Sequence, residues 1–327
     1  MPANLTADYK KAEERLRQAV TQEERIAALE EMLRVIPKHK GTEKLQADLK
    51  SRLARLRREP PKKAGRGGAS RKIPREGAGQ VALVGPPNAG KSALVARLTR
   101  ATPEVADYPM STREATPGMM PFEDVSIQLV DLPPLWDEHV EPWVYDLARA
   151  ADLFWLVLPI DAALEGFEQV ERLLAAKAIA PRPIGTAPEA ELRPGWVGRR
   201  TLMVLTGVDR PGAREDAAAF EELLAERWPT VLVSALTGEG LEELTRRTFE
   251  ALEVIRVYCK EPGKEADLEQ PFTVPRGASV EELARVIHRD FAEGLRFARV
   301  WGRSAHDGTQ VSGGHELEEG DVVELHI

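Results

Sequence analysis

The sequence predicts an α/β fold: a mostly parallel sheet with helices on both faces, preceded by a helical segment and followed by a small α+β domain. Three observations carry that expectation. Between Gln80 and Leu252 short apolar runs alternate with helical patterns, an order that lays strands side by side and packs helices over them. A glycine-rich loop, Gly85-Pro-Pro-Asn-Ala-Gly-Lys-Ser92, stands between the first such strand and the first such helix. A chain of 327 residues, at ~100–200 per domain, also exceeds a single small module.

Residues up to about 58 read as helical. Thr21-Gln-Glu-Glu24 is a capping box, Ile26, Leu29, Met32 and Leu33 follow at helical spacing, and Pro37 ends the pattern. A second helix starts near Thr42 with Leu45, Leu49, Leu53 and Leu56 as its apolar stripe. Pro60 to Arg71 offers Pro, Gly and charge with almost nothing to bury, which marks a linker. Strands are expected at Val81–Val84, Val125–Val130, Leu153–Leu158, Leu202–Leu205 and Val231–Val233. Helices are expected around Ala93–Leu98, Trp143–Ala148, Phe167–Ala176, Phe220–Ala225 and Leu241–Leu252. Pro181–Gly198 reads as a surface loop. After Val254 come a strand (Ile255–Cys259), an extended piece (Phe272–Val274), a helix (Val280–Phe291) and two strands (Phe297–Trp301 and Val322–Ile327). The expected domains are 1–76, a helical segment with a basic linker; 77–253, the α/β domain; and 254–327, the α+β domain.

Composition narrows the class of function. Apolar residues make up 43% and charged residues 30%, as in globular proteins. The longest apolar run, Leu153 to Ile160, falls far short of the ~18–20 residues of a membrane span. One cysteine, Cys259, excludes an internal disulfide, and with no secretory pattern at the amino terminus a cytoplasmic setting is expected. The net charge of −8 argues against a general positive field, yet Lys50–Glu76 holds eleven basic and two acidic residues, a local +9. That run reads either as a solvated helix end and tether or as a patch for the phosphates of RNA.

The loop Gly85–Ser92 matches G-x-x-x-x-G-K-[ST] in the strand-then-helix context its mechanism needs. Gly85, Pro86, Pro87, Asn88, Ala89 and Gly90 supply a backbone that wraps a polyphosphate; Lys91 adds a cation between the outer phosphates, and the Ser92 hydroxyl ligates magnesium. In GTPases a later strand ends in Asn-Lys-x-Asp, whose aspartate accepts from guanine and whose lysine stem covers the base. Here that place reads Thr206-Gly207-Val208-Asp209, and Ser234-Ala235-Leu236 follows the next strand where a base-contacting Ser-Ala-x loop belongs. The pair favours guanine over adenine.

Together these residues resemble the Obg-related GTPases, most closely the developmentally regulated GTP-binding proteins. Pro37-Lys-His-Lys-Gly-Thr-Glu-Lys-Leu45 is similar to that family's amino-terminal segment, and Tyr108-Pro-Met-Ser-Thr112 with Thr116-Pro-Gly118 to its first switch. The resemblance implies that Thr112 reaches magnesium, and that Asp131, in Asp131-Leu-Pro-Pro134, does so through water. Ile255-Arg-Val-Tyr258, Pro271-Phe-Thr-Val-Pro-Arg-Gly277, His288-Arg-Asp290, Val300-Trp-Gly302 and Glu319-Gly-Asp-Val-Val323 resemble a TGS domain, a ubiquitin-like β-grasp module. Three departures stand out: the family's inserted domain has only Pro181–Gly198 in its place, the base motif carries Thr206 and Gly207, and Pro134 replaces the second-switch glycine.

The resemblance implies a GTP-binding protein with slow magnesium-dependent hydrolysis, Lys91 and Thr112 being the catalytic groups, associated with ribosomes or RNA through its amino-terminal segment and TGS domain, with a regulatory protein as a further partner. No catalytic glutamine follows Pro134; Leu135 stands there. Asn88 reads either as a potassium ligand or as a residue chosen for turn geometry. A nucleotide-binding scaffold without hydrolysis and an ATP-using relative are the alternatives.

Overall fold

In the computed structural model, period-two alternation builds a sheet with two buried faces. Along β1 (Gln80–Val84), Ala82 and Val84 join one apolar cluster and Val81 and Leu83 the other. Likewise in β4 (Leu153–Pro159), Phe154, Leu156 and Leu158 face one way and Leu153, Trp155 and Val157 the other. Strands with both faces covered read as continuous apolar runs, which is why these two were legible. The described residues are 22–35, 49, 73–99, 115–137, 140–186, 192–224 and 228–327.

The chain divides into two compact units, Met1–Arg71 and Lys72–Ile327. In the first, α1 (Gln22–Val35) buries Ala28 and Leu29 and, one turn on, Met32. The Thr21 cap, most of the second helix, the Pro60–Arg71 linker, the basic run up to Lys72 and Thr112 lie outside the described residues.

In the second unit seven strands form one sheet: β2 (Thr116–Phe122), β3 (Val125–Asp131), β1, β4, β6 (Val197–Thr206) and β5 (Ile179–Pro183) in spatial order, with β7 (Thr230–Val233) also paired to β6. Among the described strands of this sheet, the β2–β3 hairpin is the one antiparallel pair. Helices α3 (Pro142–Ala150), α4 (Ala163–Ala175) and α5 (Ala213–Leu224) cover one face; α2 (Lys91–Leu98) and α6 (Leu241–Leu252) cover the other. Trp155 is fully buried against α6, where its indole N–H donates to the Thr248 hydroxyl at 3.0 Å. All the loops that follow the parallel strands leave the same edge of the sheet, where ligands of such folds gather.

Three expectations need correction. Pro181–Gly198 is not simply a loop, because Ile179–Pro183 pairs in parallel with Val197–Thr201. Pro181 and Pro183 are tolerated because β5 is an edge strand that leaves one side unpaired. The helix expected at Phe220 begins at Ala213, its first turns burying only the small Ala213 and Ala217. The helix expected over Val280–Phe291 is two, α7 (Val280–Ile287) and α8 (Arg289–Gly294), divided where His288 adopts an extended φ of −166°.

The carboxy-terminal domain is a five-stranded sheet in the order β11 (Thr309–Val311), β10 (Phe297–Trp301), β12 (Asp321–His326), β8 (Val254–Cys259), β9 (Phe272–Pro275). Strands β8 and β12 run parallel, and α7, opened by a Ser279–Glu282 capping box, packs Val280, Leu283 and Ala284 inward. Arg256 on β8 ties this sheet to the preceding domain. Its guanidinium pairs with Glu319 at 2.6 Å, with Asp124 at 2.8 Å and with Glu123, the last two in the β2–β3 turn. The Tyr258 hydroxyl adds a 2.5 Å bond to Asp124.

Cys259 ends β8, and burial pushes its thiol up to about 12 from 9.0. The unfolded chain loses that proton first, so the contribution is complete below pH 9 and is lost as pH rises through 12. Alkylation by iodoacetamide at pH 8, followed by mass, is expected to be slow in buffer and much faster in denaturant; equal rates would show an accessible thiol.

Candidate functional site

The loop between β1 and α2 is shaped by what it must pass. A Cβ on Gly85 would lie 2.2 Å from the carbonyl oxygen of Val157, so only glycine lets the chain leave β1 across β4. Further on, Asn88 at φ 58° and Gly90 at φ 87° turn the backbone left-handed before α2 begins. Lys91 folds back: its ammonium donates to the carbonyls of Gly85 at 3.0 Å and Pro86 at 2.8 Å, and the residue is only 6% exposed. Burial pulls that amine down to about 8, against the opposing pull of the nearby Asp131 carboxylate. A cation held this way is poorly hydrated, and so electrostatically strong toward an anion.

Ser92, the second residue of α2, donates its hydroxyl to Asp131 Oδ2 at 2.5 Å. Asp131 ends β3, and its other oxygen, Oδ1, is buried without a hydrogen-bond partner. Burial raises this carboxyl despite the Ser92 bond and the Lys91 charge. Among the described residues no three His, Cys, Asp or Glu side chains converge, so a divalent ion here relies on the hydroxyl and carboxylate oxygens at hand, water and phosphate. An orphaned carboxylate oxygen beside a serine hydroxyl fits a hard cation that keeps part of its water shell. Pro87, Asn88, Ala89, Gly90, Lys91, Ser92 and Asp131 line one open cleft of about 380 Å³, together with Leu132 and Pro134.

A second cluster abuts the first. Thr206, at the end of β6, donates its hydroxyl to the Ala89 carbonyl at 2.8 Å, fastening this strand end to the glycine-rich loop. The turn Gly207–Arg210 is anchored to β7 by Gly207 N–H to the Val233 carbonyl, 3.0 Å. The Ser234 hydroxyl, above all, holds the exposed Asp209 carboxyl below its ordinary range. Ser234 starts a tight turn in which it accepts from the Gly238 and Thr237 amides, leaving Ala235 half-buried and Leu236 83% exposed. Of the expected site residues, then, all but Thr112, which is not described, gather along one sheet edge.

Two features were not foreseen. The Leu135 amide donates to the Gly85 carbonyl at 3.0 Å, and Leu135 is buried. Arg210 lies back along Gly207 and pairs with Asp161 at 2.6 Å.

Two stretches of the chain match known protein families. Residues 80–184 match the family described as 50S ribosome-binding GTPase, and residues 255–327 match the TGS domain. GTP-binding protein 1 of Schizosaccharomyces pombe is 29% identical over 92% of this chain and 98% of its own length. Developmentally-regulated G-protein 1 of Arabidopsis thaliana is 27% identical over 92% of this chain and 90% of its own. The solved Schizosaccharomyces pombe YchF GTPase aligns with 78% of this chain at a TM-score of 0.52 and 14% identity, a likeness of fold. Among the described residues no helix is long and apolar enough to cross a membrane.

Proposed function

Because this chain joins a P-loop GTPase domain to a carboxy-terminal TGS domain and is homologous to the developmentally regulated GTP-binding proteins, we propose that it binds GTP and GDP with magnesium and hydrolyses GTP slowly. The observation that carries this is the joining of the two clusters: Thr206 ties the strand end bearing Asp209 to the loop bearing Lys91, as one nucleotide spanning both requires.

In this reading the amides of Gly85–Ser92 and the Lys91 ammonium hold the phosphates, and Asp209 accepts from the guanine edge beside Ser234, Ala235 and Leu236. Magnesium would be held by Ser92 and Thr112 and, through water, by Asp131; when bound it neutralises charge building on the outer phosphates. Lys91, already short of hydration, stabilises the same charge without reorganising. Asn88 at φ 58° needs no ion to explain it, since asparagine tolerates that turn geometry, so potassium dependence is a separate test. We place the domains at 1–76, 77–253 and 254–327, the first and last supplying contacts to ribosomes or RNA.

Single-turnover phosphate release with and without magnesium tests the activity. A slow, magnesium-dependent release is expected; binding without any release would favour a nucleotide-gated scaffold, a reading to which the proline at 134 and the occupied Leu135 amide lend weight. Deleting residues 1–76 removes the +9 segment, whereas residues 254–327 hold nine basic and fourteen acidic side chains, a net −5. The deletion is expected to flatten the salt dependence of RNA binding, and an unchanged slope would reduce the basic run to a tether.

A further inference from the structure

The base-recognition turn lacks the side chain that covers a purine in a complete Asn-Lys-x-Asp motif, because Gly207 stands at the lysine position with φ 89°. Another residue fills that space. A Cβ built on Gly207 would lie 3.2, 3.4 and 3.5 Å from Nε, Cδ and Cζ of Arg210. The Arg210 side chain therefore runs where a stem at 207 would begin. The turn itself puts it there: the Arg210 amide donates to the Gly207 carbonyl at 3.0 Å, folding residue 210 back over residue 207.

The far end of Arg210 is held as well. Its Nη1 pairs with Asp161 Oδ2 at 2.6 Å, just beyond the end of β4, and both side chains remain more than half exposed. One edge of the guanidinium is committed to Asp161, and its exposure leaves surface for a ligand. A planar, weakly hydrated guanidinium stacks well on an aromatic face. An exposed pair of this kind contributes little to folding on its own.

We infer that Arg210, steadied by Asp161, is the platform on which the purine ring of the bound nucleotide stacks, replacing the absent lysine stem. This rests on the guanine-nucleotide reading above and assigns the base's face to Arg210, its edge remaining with Asp209. The replacement of lysine by glycine is then part of the design of this turn. A side chain at 207 would meet Arg210, so the two positions exchange roles.

The full chain is to be compared with Arg210→Ala, Arg210→Lys and Asp161→Asn, measuring affinity for GTP, GDP and magnesium tripolyphosphate. Arg210→Ala is expected to weaken GTP and GDP equally, by about tenfold, and to leave tripolyphosphate binding unchanged. Arg210→Lys, which keeps charge but loses the plane, should recover only part of the loss, and Asp161→Asn should cost about threefold. Parent-like GTP and GDP binding by Arg210→Ala would overturn the inference. So would an equal loss of tripolyphosphate, which would make Arg210 a phosphate or structural group. A parent that binds tripolyphosphate but neither GTP nor GDP would instead overturn the guanine-nucleotide reading, and this inference with it.

Discussion

Replacing Lys91 by alanine is expected to weaken GTP and GDP binding by at least a hundredfold while leaving the free protein as stable as the parent, within about 1 kcal/mol. The two halves of that expectation have one cause. Lys91 is 6% exposed and burial has drawn its amine down to about 8, so the folded chain carries a cation it does not solvate well. Removing it takes a donor from the Pro86 carbonyl and one of two from the Gly85 carbonyl, which keeps the Leu135 amide, but also removes a desolvated charge, and the two effects oppose each other. A bound polyphosphate loses its nearest fixed cation with nothing to offset the loss, and charge-assisted bonds are the strong ones. Two decades correspond to roughly 2.8 kcal/mol. Calorimetric titration with GDP, paired with thermal melts, checks both halves; binding within threefold of the parent would mean that the loop does not hold phosphate.

Pro134→Gly is expected to widen the gap between GTP and GDP affinities by one to two decades, from a parent in which they differ by less than about tenfold. Pro134 lines the cleft that Lys91, Ser92 and Asp131 share. It has no N–H, and its ring fixes φ near −65°. The neighbouring amide that could substitute, that of Leu135, is already spent on the Gly85 carbonyl at 3.0 Å, on a residue that is 1% exposed. In the proposed reading a terminal phosphate therefore receives no hydrogen bond from Pro134 or from the Leu135 amide. Glycine restores one, and a hydrogen bond to a charged group is worth roughly 1.5–3 kcal/mol, or one to two decades at ~1.4 kcal/mol each. Affinities of both nucleotides for parent and variant decide it. A parent that already separates them by several decades, or a variant that separates them no better, would count against this account of the switch.

How much of this was legible in the sequence depended on whether backbone geometry or side-chain reach did the specifying. Gly85, Gly90 and Lys91 stood out because a loop that leaves no room for a Cβ beside the Val157 carbonyl oxygen and then turns left-handed admits few residue types. Asp209 and Ser234 could be placed because β6 and β7 are apolar runs with abrupt ends. Strands β2 and β5 were hidden by Pro117, Pro121, Pro181 and Pro183, which read as breakers yet cost little on edge strands. Arg210 carried no signal beyond following Asp209, since its return over Gly207 is set by the φ 89° turn. The Leu135 amide is likewise a tertiary fact: its partner, Gly85, is fifty residues away in sequence. The join between the GTPase and TGS domains, three side-chain contacts from Arg256 and Tyr258 to Glu123 and Asp124, gave no sequence signal for the same reason.

The central claim is that one guanine nucleotide spans the Lys91 loop and the Asp209 turn, and equilibrium binding of GTP, GDP and ATP to the full chain with magnesium, measured side by side, tests it most directly. A carboxylate placed to accept from guanine is left unpaired against adenine. GTP and GDP are predicted to bind with affinities within about tenfold of each other, and ATP more weakly than either by at least tenfold. Displacement of GTP by ATP at equal concentration, or no binding of any of the three, would contradict it.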